Sequence, residues 1–199
     1  MATTKNPWLR ATRLCFGLLA LSAVITEIVV TMAEGSFRFF NFFGFFTILS
    51  NLAASALLIY LASVPSVSHK TQHVRGAVTL YMFMTGVIFA MLLAGLQDAR
   101  LTAVPWDNIV LHYILPVAVV ADWFLFPPKT KISLRTTALW LIFPVVYVTY
   151  TLIRGSFVGW YPYPFLNPTL SSYPQVLSSC LLVTIFVVVA AWIIRARAK

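Results

Sequence analysis

The sequence predicts an all-α, polytopic membrane protein: a bundle of six transmembrane helices with both termini in the cytosol. Three observations predict it. Hydrophobic residues make up 60% of the 199 residues and charged residues only 10%, whereas soluble domains carry about 25% charged residues. Six apolar segments each approach the ~20 residues that cross a hydrocarbon core. Basic residues are concentrated in alternate connections between those segments.

The six segments are read as spans of one membrane domain covering residues 1–199. The first follows a basic stretch, as the core of a signal peptide would. It is long, contains Glu27 and ends without a small-x-small cleavage site, so we expect it to be retained as a span. The predicted spans are residues 14–32, 44–64, 77–97, 108–126, 136–153 and 174–194.

The lysines and arginines predict the orientation. The two tails and the second and fourth loops hold all of them except Arg38, Arg100 and Arg154. Because cytosolic loops carry the excess of basic residues, this alternation places both termini inside and the odd-numbered loops outside. Basic residues in such short clusters form no continuous face for phosphates, so the net charge of +9 does not indicate nucleic-acid binding.

Polar residues within the spans are the functional candidates, because ionisable groups in a membrane are costly and usually face the bundle interior. At 1.5 Å per helical residue, Thr47, His112 and Glu27 lie about 5 to 8 Å below the outer ends of three different spans. The three residues share a layer, although depth alone does not establish contact. Pro116 has no N–H for the carbonyl of His112, so the helix should bend there.

Span two carries a small, polar stripe. Thr47, Ser50, Asn51 and Ala54 recur at helical spacing and project from one face. Close helix packing through hydrogen bonds explains such a stripe as well as catalysis does. We therefore leave both interpretations open at this point.

Other polar groups are assigned structural roles. Zinc requires about three protein ligands, and the outer layer offers only His112, Glu27 and Asp98, so we predict no metal and no other cofactor. Asp122 lies about 15 Å nearer the cytosol than His112. It is predicted to pair with Lys129 or Lys131.

The predicted fifth loop, residues 154–173, is rich in aromatic residues and proline between positions 160 and 168. Aromatic side chains favour the membrane interface, and proline opposes helix formation. We expect this loop to lie over the outer surface, either as an interfacial anchor or as a lid. Arg154, at its start, either snorkels to the interface or holds an anionic head group.

Four stretches resemble the family of androgen-induced membrane proteins, which includes the androgen-dependent TFPI-regulating protein and bacterial relatives. They are residues 45–52 (FFTILSNL), 111–113 (LHY), 150–155 (YTLIRG) and 159–165 (GWYPYPF). The last two are similar to the bacterial branch in particular, and the resemblance extends over residues 14 to 194. It implies six spans in a bacterial plasma membrane.

The resemblance also implies an activity. Animal members are intramembrane threonine hydrolases that cleave fatty acid esters of hydroxy fatty acids, and by motif the nucleophile maps to Thr47 and the histidine to His112. The partner expected is thus a lipid with an acyl chain, cleaved at the outer leaflet. The loops of this chain are short, so the natural substrate is left open.

On this interpretation Thr47 attacks the ester and His112 takes its proton. An oxyanion needs fixed donors, and Asn51 or Ser50, with free N–H groups at the start of span two, are expected to supply them. Glu27 or Asp98 is expected to orient His112. The residues predicted to bind substrate are Phe43 and Phe46 in an acyl tunnel, Trp160, Tyr161, and Arg154 at a carboxylate head.

Two other functions remain possible at the level of sequence. A transporter or channel would use Glu27 and His112 as proton or substrate sites, with Pro116 and Pro144 as hinges. A non-catalytic lipid-binding protein or assembly subunit would retain its lipid intact. The sequence does not indicate an oligomeric state.

Overall fold

The computed structural model describes residues 2–3, 6–95 and 102–198. Within them, six helices are long and apolar enough to cross a membrane. We call them spans one to six: Pro7–Ala33, Phe46–Ser63, His69–Leu93, Pro105–Leu125, Leu134–Val158 and Tyr173–Ala196. The predicted all-α bundle of an integral membrane protein is confirmed.

Polar caps explain why several spans begin before the apolar segments predicted for them. Span one begins at Pro7. The first N–H of a helix has no partner within the helix, so a proline at that position costs no hydrogen bond, and the side chain of Asn6 caps the helix. Serine hydroxyls cap spans three, five and six in the same way, at Ser68, Ser133 and Ser172. An apolar segment marks only the part of a helix that lies in hydrocarbon, whereas these caps mark where the helix starts.

An even number of spans brings both termini to one end of the bundle, which we call the terminal end. Residues 64–68 and 126–133 connect spans there, and Ala2–Thr3 pairs with Ser66–Val67 in a short antiparallel ladder. The opposite end, which we call the site end, holds residues 34–45, 102–104 and 159–172. The distribution of Lys and Arg predicts that the site end faces outward.

Span three is central and packs against spans two, four and six, while span one packs along span two. Small residues allow the close approach of spans one and two. A β-carbon on Gly17 would lie 2.8 Å from the side chain of Ile59, and Ser55 donates a hydrogen bond to the Gly17 carbonyl at 2.7 Å. Spans five and six have the least buried surface of the six.

Two irregular turns face each other near the site end. Span three ends in the π turn Phe89–Leu93, and span four contains the π turn Val110–Ile114. The second lies just before Pro116, where the sequence predicts an interrupted hydrogen-bond ladder. Gly86 lets the two spans approach, because a β-carbon there would lie 2.9 Å from Cβ of Pro116.

A buried ionic cluster lies near the terminal end. Asp122 accepts hydrogen bonds from Arg13 Nε at 2.8 Å and from Arg75 Nη2 at 2.8 Å. The prediction that Asp122 pairs with Lys129 or Lys131 is therefore wrong. Asp122 points into the bundle, where spans one and three present the two arginines, and the lysines lie in the loop beyond it.

Candidate active site

The Thr47 hydroxyl and the His112 imidazole meet at the site end, from spans two and four. Thr47 Oγ1 lies 3.2 Å from His112 Nε2, and the two residues are only 7% and 3% exposed. His112 Nδ1 lies 3.2 Å from the carbonyl oxygen of Asn108. A carbonyl only accepts, so Nδ1 carries the proton and Nε2 is free to accept the threonine O–H. A nucleophile–base pair requires this tautomer.

Packing fixes the orientation of the imidazole. The Phe89 ring stacks on it with 4.0 Å between ring centroids and 22° between planes. Asn51 holds the neighbouring backbone, because its amide donates to the carbonyls of Thr47 at 2.8 Å and of Leu111 at 3.1 Å. Asn51 thus ties the backbone of the threonine to the backbone next to the histidine.

The structure contradicts the expectation that Asn51 or Ser50 donates to an oxyanion. An amide has two hydrogens, and both hydrogens of Asn51 are used by backbone carbonyls. Ser50 is fully buried and lies between the Thr47 carbonyl, at 3.1 Å, and the Thr85 hydroxyl, at 2.9 Å. Both side chains hold helices together, which is the packing role that the stripe on span two also suggested.

Tyr163, which the sequence analysis did not single out, brings a second hydroxyl to Thr47. Its oxygen accepts the Thr47 N–H at 3.3 Å and lies 3.4 Å from Thr47 Oγ1. Burial raises the pKa of Tyr163, while its hydrogen bonds with Thr47 oppose that shift. The sequence shows that Pro162 and Pro164 flank this tyrosine and restrict its backbone, but these prolines do not indicate which way its side chain points.

A second tyrosine completes the start of span two. Tyr147 accepts the Phe46 N–H at 3.1 Å and donates to the Gly44 carbonyl at 2.8 Å. The first N–H groups of a helix have no partner within the helix, and Phe45, the preceding residue, is apolar and cannot cap it. The N–H groups of Phe46 and Thr47 are therefore occupied by tyrosine hydroxyls, contrary to the expectation that they are free.

An apolar cavity of about 140 Å³ lies beside Thr47 between spans two, three, five and six. Phe46, Phe89 and Tyr163 are among the residues that line it. Val145 on span five and Val188 on span six also line it and are 57% and 47% exposed. The cavity therefore opens sideways, between two spans, toward the lipid.

One of the predicted substrate-binding residues lines the cavity, and the others pack against neighbouring side chains outside it. Phe46 lines the cavity. Phe43 packs instead on Phe39 and Phe42, with ring centroids 4.8 and 5.1 Å away. The ring of Tyr161 lies where a β-carbon on Gly155 would be.

Arg154 and Trp160 join two connections over the site end. The Arg154 guanidinium lies 5.1 Å from the centre of the Trp160 ring, and its Nη2 donates to Asn41 Oδ1 at 2.7 Å. Trp160 also packs edge-on against Phe45. Because these side chains are occupied with each other, the expectation that they contact substrate is not supported, and Arg154 ties the fifth loop to the first.

Glu27 lies at the site end but does not orient His112. Both of its oxygens accept the N–H of Ala103, at 3.0 and 2.9 Å, so it anchors the segment that leads into span four. Its carboxyl group also lies close to that of buried Asp107. Asp98 falls outside the described residues. The group that orients His112 is the Asn108 carbonyl, one turn earlier on the same helix.

Within residues 6–95 and 102–198, no three His, Cys, Asp or Glu side chains are grouped as a metal site would require. Comparison with protein-family models, characterised proteins and solved structures finds no significant match. The features of the chain that indicate a function are therefore the geometry of Thr47, His112, Tyr163 and the cavity, together with the motif resemblance.

Proposed function

We propose that this protein is an intramembrane lipid-ester hydrolase with Thr47 as nucleophile and His112 as general base. The observation that carries the proposal is the 3.2 Å approach of the Thr47 hydroxyl to the unprotonated nitrogen of His112, beside an apolar cavity open to lipid. A threonine hydroxyl is a weak nucleophile until a positioned base takes its proton.

The reaction follows from this pair. Thr47 Oγ1 forms a bond to the ester carbonyl carbon while its proton moves to His112 Nε2, and the carbonyl oxygen becomes an oxyanion. The oxyanion then collapses, the bond to the leaving alkoxy oxygen breaks, and His112 returns the proton to that oxygen. Water, with its proton taken by His112, then attacks the acyl-threonine. As this second oxyanion collapses, the bond between the acyl carbon and Thr47 Oγ1 breaks, the fatty acid leaves, and His112 returns the proton to Oγ1.

The cavity indicates the substrate class. Among the described residues, every side chain that lines it is uncharged, and its mouth opens between spans five and six. An acyl chain is a good fit to such a wall, because burying apolar surface is favourable. The resemblance implies fatty acid esters of hydroxy fatty acids. Their acyl chains fit this apolar wall if their carboxylate remains outside the cavity.

The test compares purified variants in lipid nanodiscs for hydrolysis of a long-chain fatty acyl ester. We expect Thr47→Ala to abolish turnover, because no hydroxyl is left to form the acyl intermediate, and His112→Gln to reduce it by a factor of about 10² to 10⁴. Thr79→Ala is the matched control, since Thr79 is fully buried and donates only to the Arg75 carbonyl on its own helix. Full turnover by Thr47→Ala would refute the proposal, and an intact bound lipid without turnover would indicate a lipid-binding protein.

A further inference from the structure

A hydrolase of this kind needs a hydrogen-bond donor for its oxyanion, and the two residues expected to supply one have their hydrogens committed. Asn51 donates to two backbone carbonyls, and Ser50 bonds to the Thr47 carbonyl and to Thr85. The donor must come from another group that reaches the same side of Thr47.

The hydroxyl of Tyr163 has a hydrogen available at that position. Its oxygen accepts the N–H of Thr47, so its own hydrogen must point to another acceptor. Thr47 Oγ1 lies 3.4 Å away and directs its own hydrogen to His112, and the Tyr147 hydroxyl is a second neighbour of the phenol. When Tyr163 donates to Thr47 Oγ1, the hydroxyls of Tyr163 and Thr47 and the imidazole are in line. The three groups form one donor chain that ends on the imidazole.

Attack on an ester changes Thr47 Oγ1, the oxygen that accepts the hydrogen of Tyr163. Once Thr47 Oγ1 is bonded to the carbonyl carbon, it is a poorer acceptor, and a charged oxygen appears two bonds away. Tyr163 lines the cavity that holds the acyl group, so its hydrogen faces the region where that charge develops. Charge-assisted hydrogen bonds are about twice as strong as neutral ones.

We propose that Tyr163 is a catalytic residue whose hydroxyl donates to the oxyanion formed at Thr47. The inference rests on the proposed hydrolase function and deepens it. Tyr163 keeps its proton throughout, and burial, which raises the pKa of this phenol, favours the protonated donor. The fifth loop is then part of the catalytic machinery as well as a cover for the site end.

The test is Tyr163→Phe, which removes the hydroxyl and keeps the ring. Loss of one oxyanion donor lowers kcat by a factor of about 10² to 10³, and we expect that loss with KM changed by little. The matched control is Tyr150→Phe, because Tyr150 is 51% exposed on span five. We expect this control to retain wild-type kcat.

A thionoester substrate separates donation from mere positioning of Thr47. Sulfur is a weak acceptor, so the wild-type protein should hydrolyse the oxygen ester much faster than the thionoester. Tyr163→Phe should reduce that rate ratio at least tenfold. An unchanged ratio, even with a lower kcat, would overturn the inference and leave Tyr163 with a positioning role.

A variant that keeps the fold covers the possibility that Tyr163→Phe does not assemble. Site-specific 3-fluorotyrosine at position 163 lowers the phenol pKa with almost no change in volume, so kcat should change while KM stays constant. An unchanged kcat would overturn the inference. Loss of activity in Thr47→Ala, together with wild-type kcat in Tyr163→Phe, would reject only the role of Tyr163, whereas full activity of Thr47→Ala would reject the hydrolase function itself.

Discussion

Replacement of Asp122 by Asn tests the buried ionic cluster that joins spans one, three and four. The carboxylate receives two guanidinium groups, each at 2.8 Å, and the Arg13 and Arg75 side chains are only 4% and 5% exposed. Asparagine has the same shape but no charge. Its amide NH₂ is a donor, and it would face the N–H donors of the two guanidinium groups. The variant therefore leaves two buried cations without their counterion.

The expected cost is large. Removing one partner of a buried ion pair costs about 3–5 kcal/mol, because the other charge stays buried and uncompensated. Two cations are stranded here, although Arg75 also donates to the Asp122 backbone carbonyl at 2.7 Å, a contact that survives. We expect a loss of about 4 kcal/mol, equivalent to a fall in Tm on the order of 10 °C for a chain of this size.

The measurement is thermal unfolding of the purified variants in one detergent. Lys129→Ala is the control, because sequence alone pairs Asp122 with Lys129, and we expect it to change the free energy of unfolding by less than about 0.5 kcal/mol. Adding Arg13→Met to Asp122→Asn removes one stranded cation and should restore part of the stability. Wild-type stability of Asp122→Asn, or equal destabilisation by Lys129→Ala, would refute the reasoning.

Three other predictions concern the site. Val145→Trp narrows the cavity mouth, so hydrolysis of long-chain esters should fall more than that of short-chain esters; equal effects on both would contradict a lateral entrance. Asn51→Leu removes the amide that links the Thr47 carbonyl on span two to the Leu111 carbonyl on span four, and a shift of about 1 Å should lower kcat on the order of 10²-fold; unchanged kcat would contradict this role. Gly155→Ala places a β-carbon in the Tyr161 ring and should slow fluorophosphonate labelling by displacing the fifth loop; an unchanged labelling rate would contradict a catalytic role for that loop.

The number and type of the spans follow from the sequence because crossing a hydrocarbon core imposes a minimum length of apolar helix. The ends of the helices follow less well, since apolar windows ignore the polar caps at Asn6 and Ser68. Asp122 shows a further limit. Sequence proximity favoured the lysines seven and nine residues later, but the direction in which a helical side chain points depends on packing with other spans.

The site was predictable in part. Depth placed Thr47 and His112 in one layer, but their contact depends on which helices are neighbours, and depth carries no such information. Tyr163 was missed because it comes from a loop, where no periodicity indicates which side chain folds inward. Asn51 has the right type for an oxyanion donor, and only the positions of the Thr47 and Leu111 carbonyls show that its hydrogens are used.

The most direct test of the central claim is the site of covalent attachment of a long-chain fluorophosphonate, determined by mass spectrometry of peptides from the labelled protein. We expect the phosphonate on Thr47, with a labelling rate reduced at least 10²-fold by His112→Gln, because the base is required to activate the hydroxyl. Attachment to Ser50 or another residue, or a labelling rate independent of His112, would contradict the claim that these two side chains form the reactive pair.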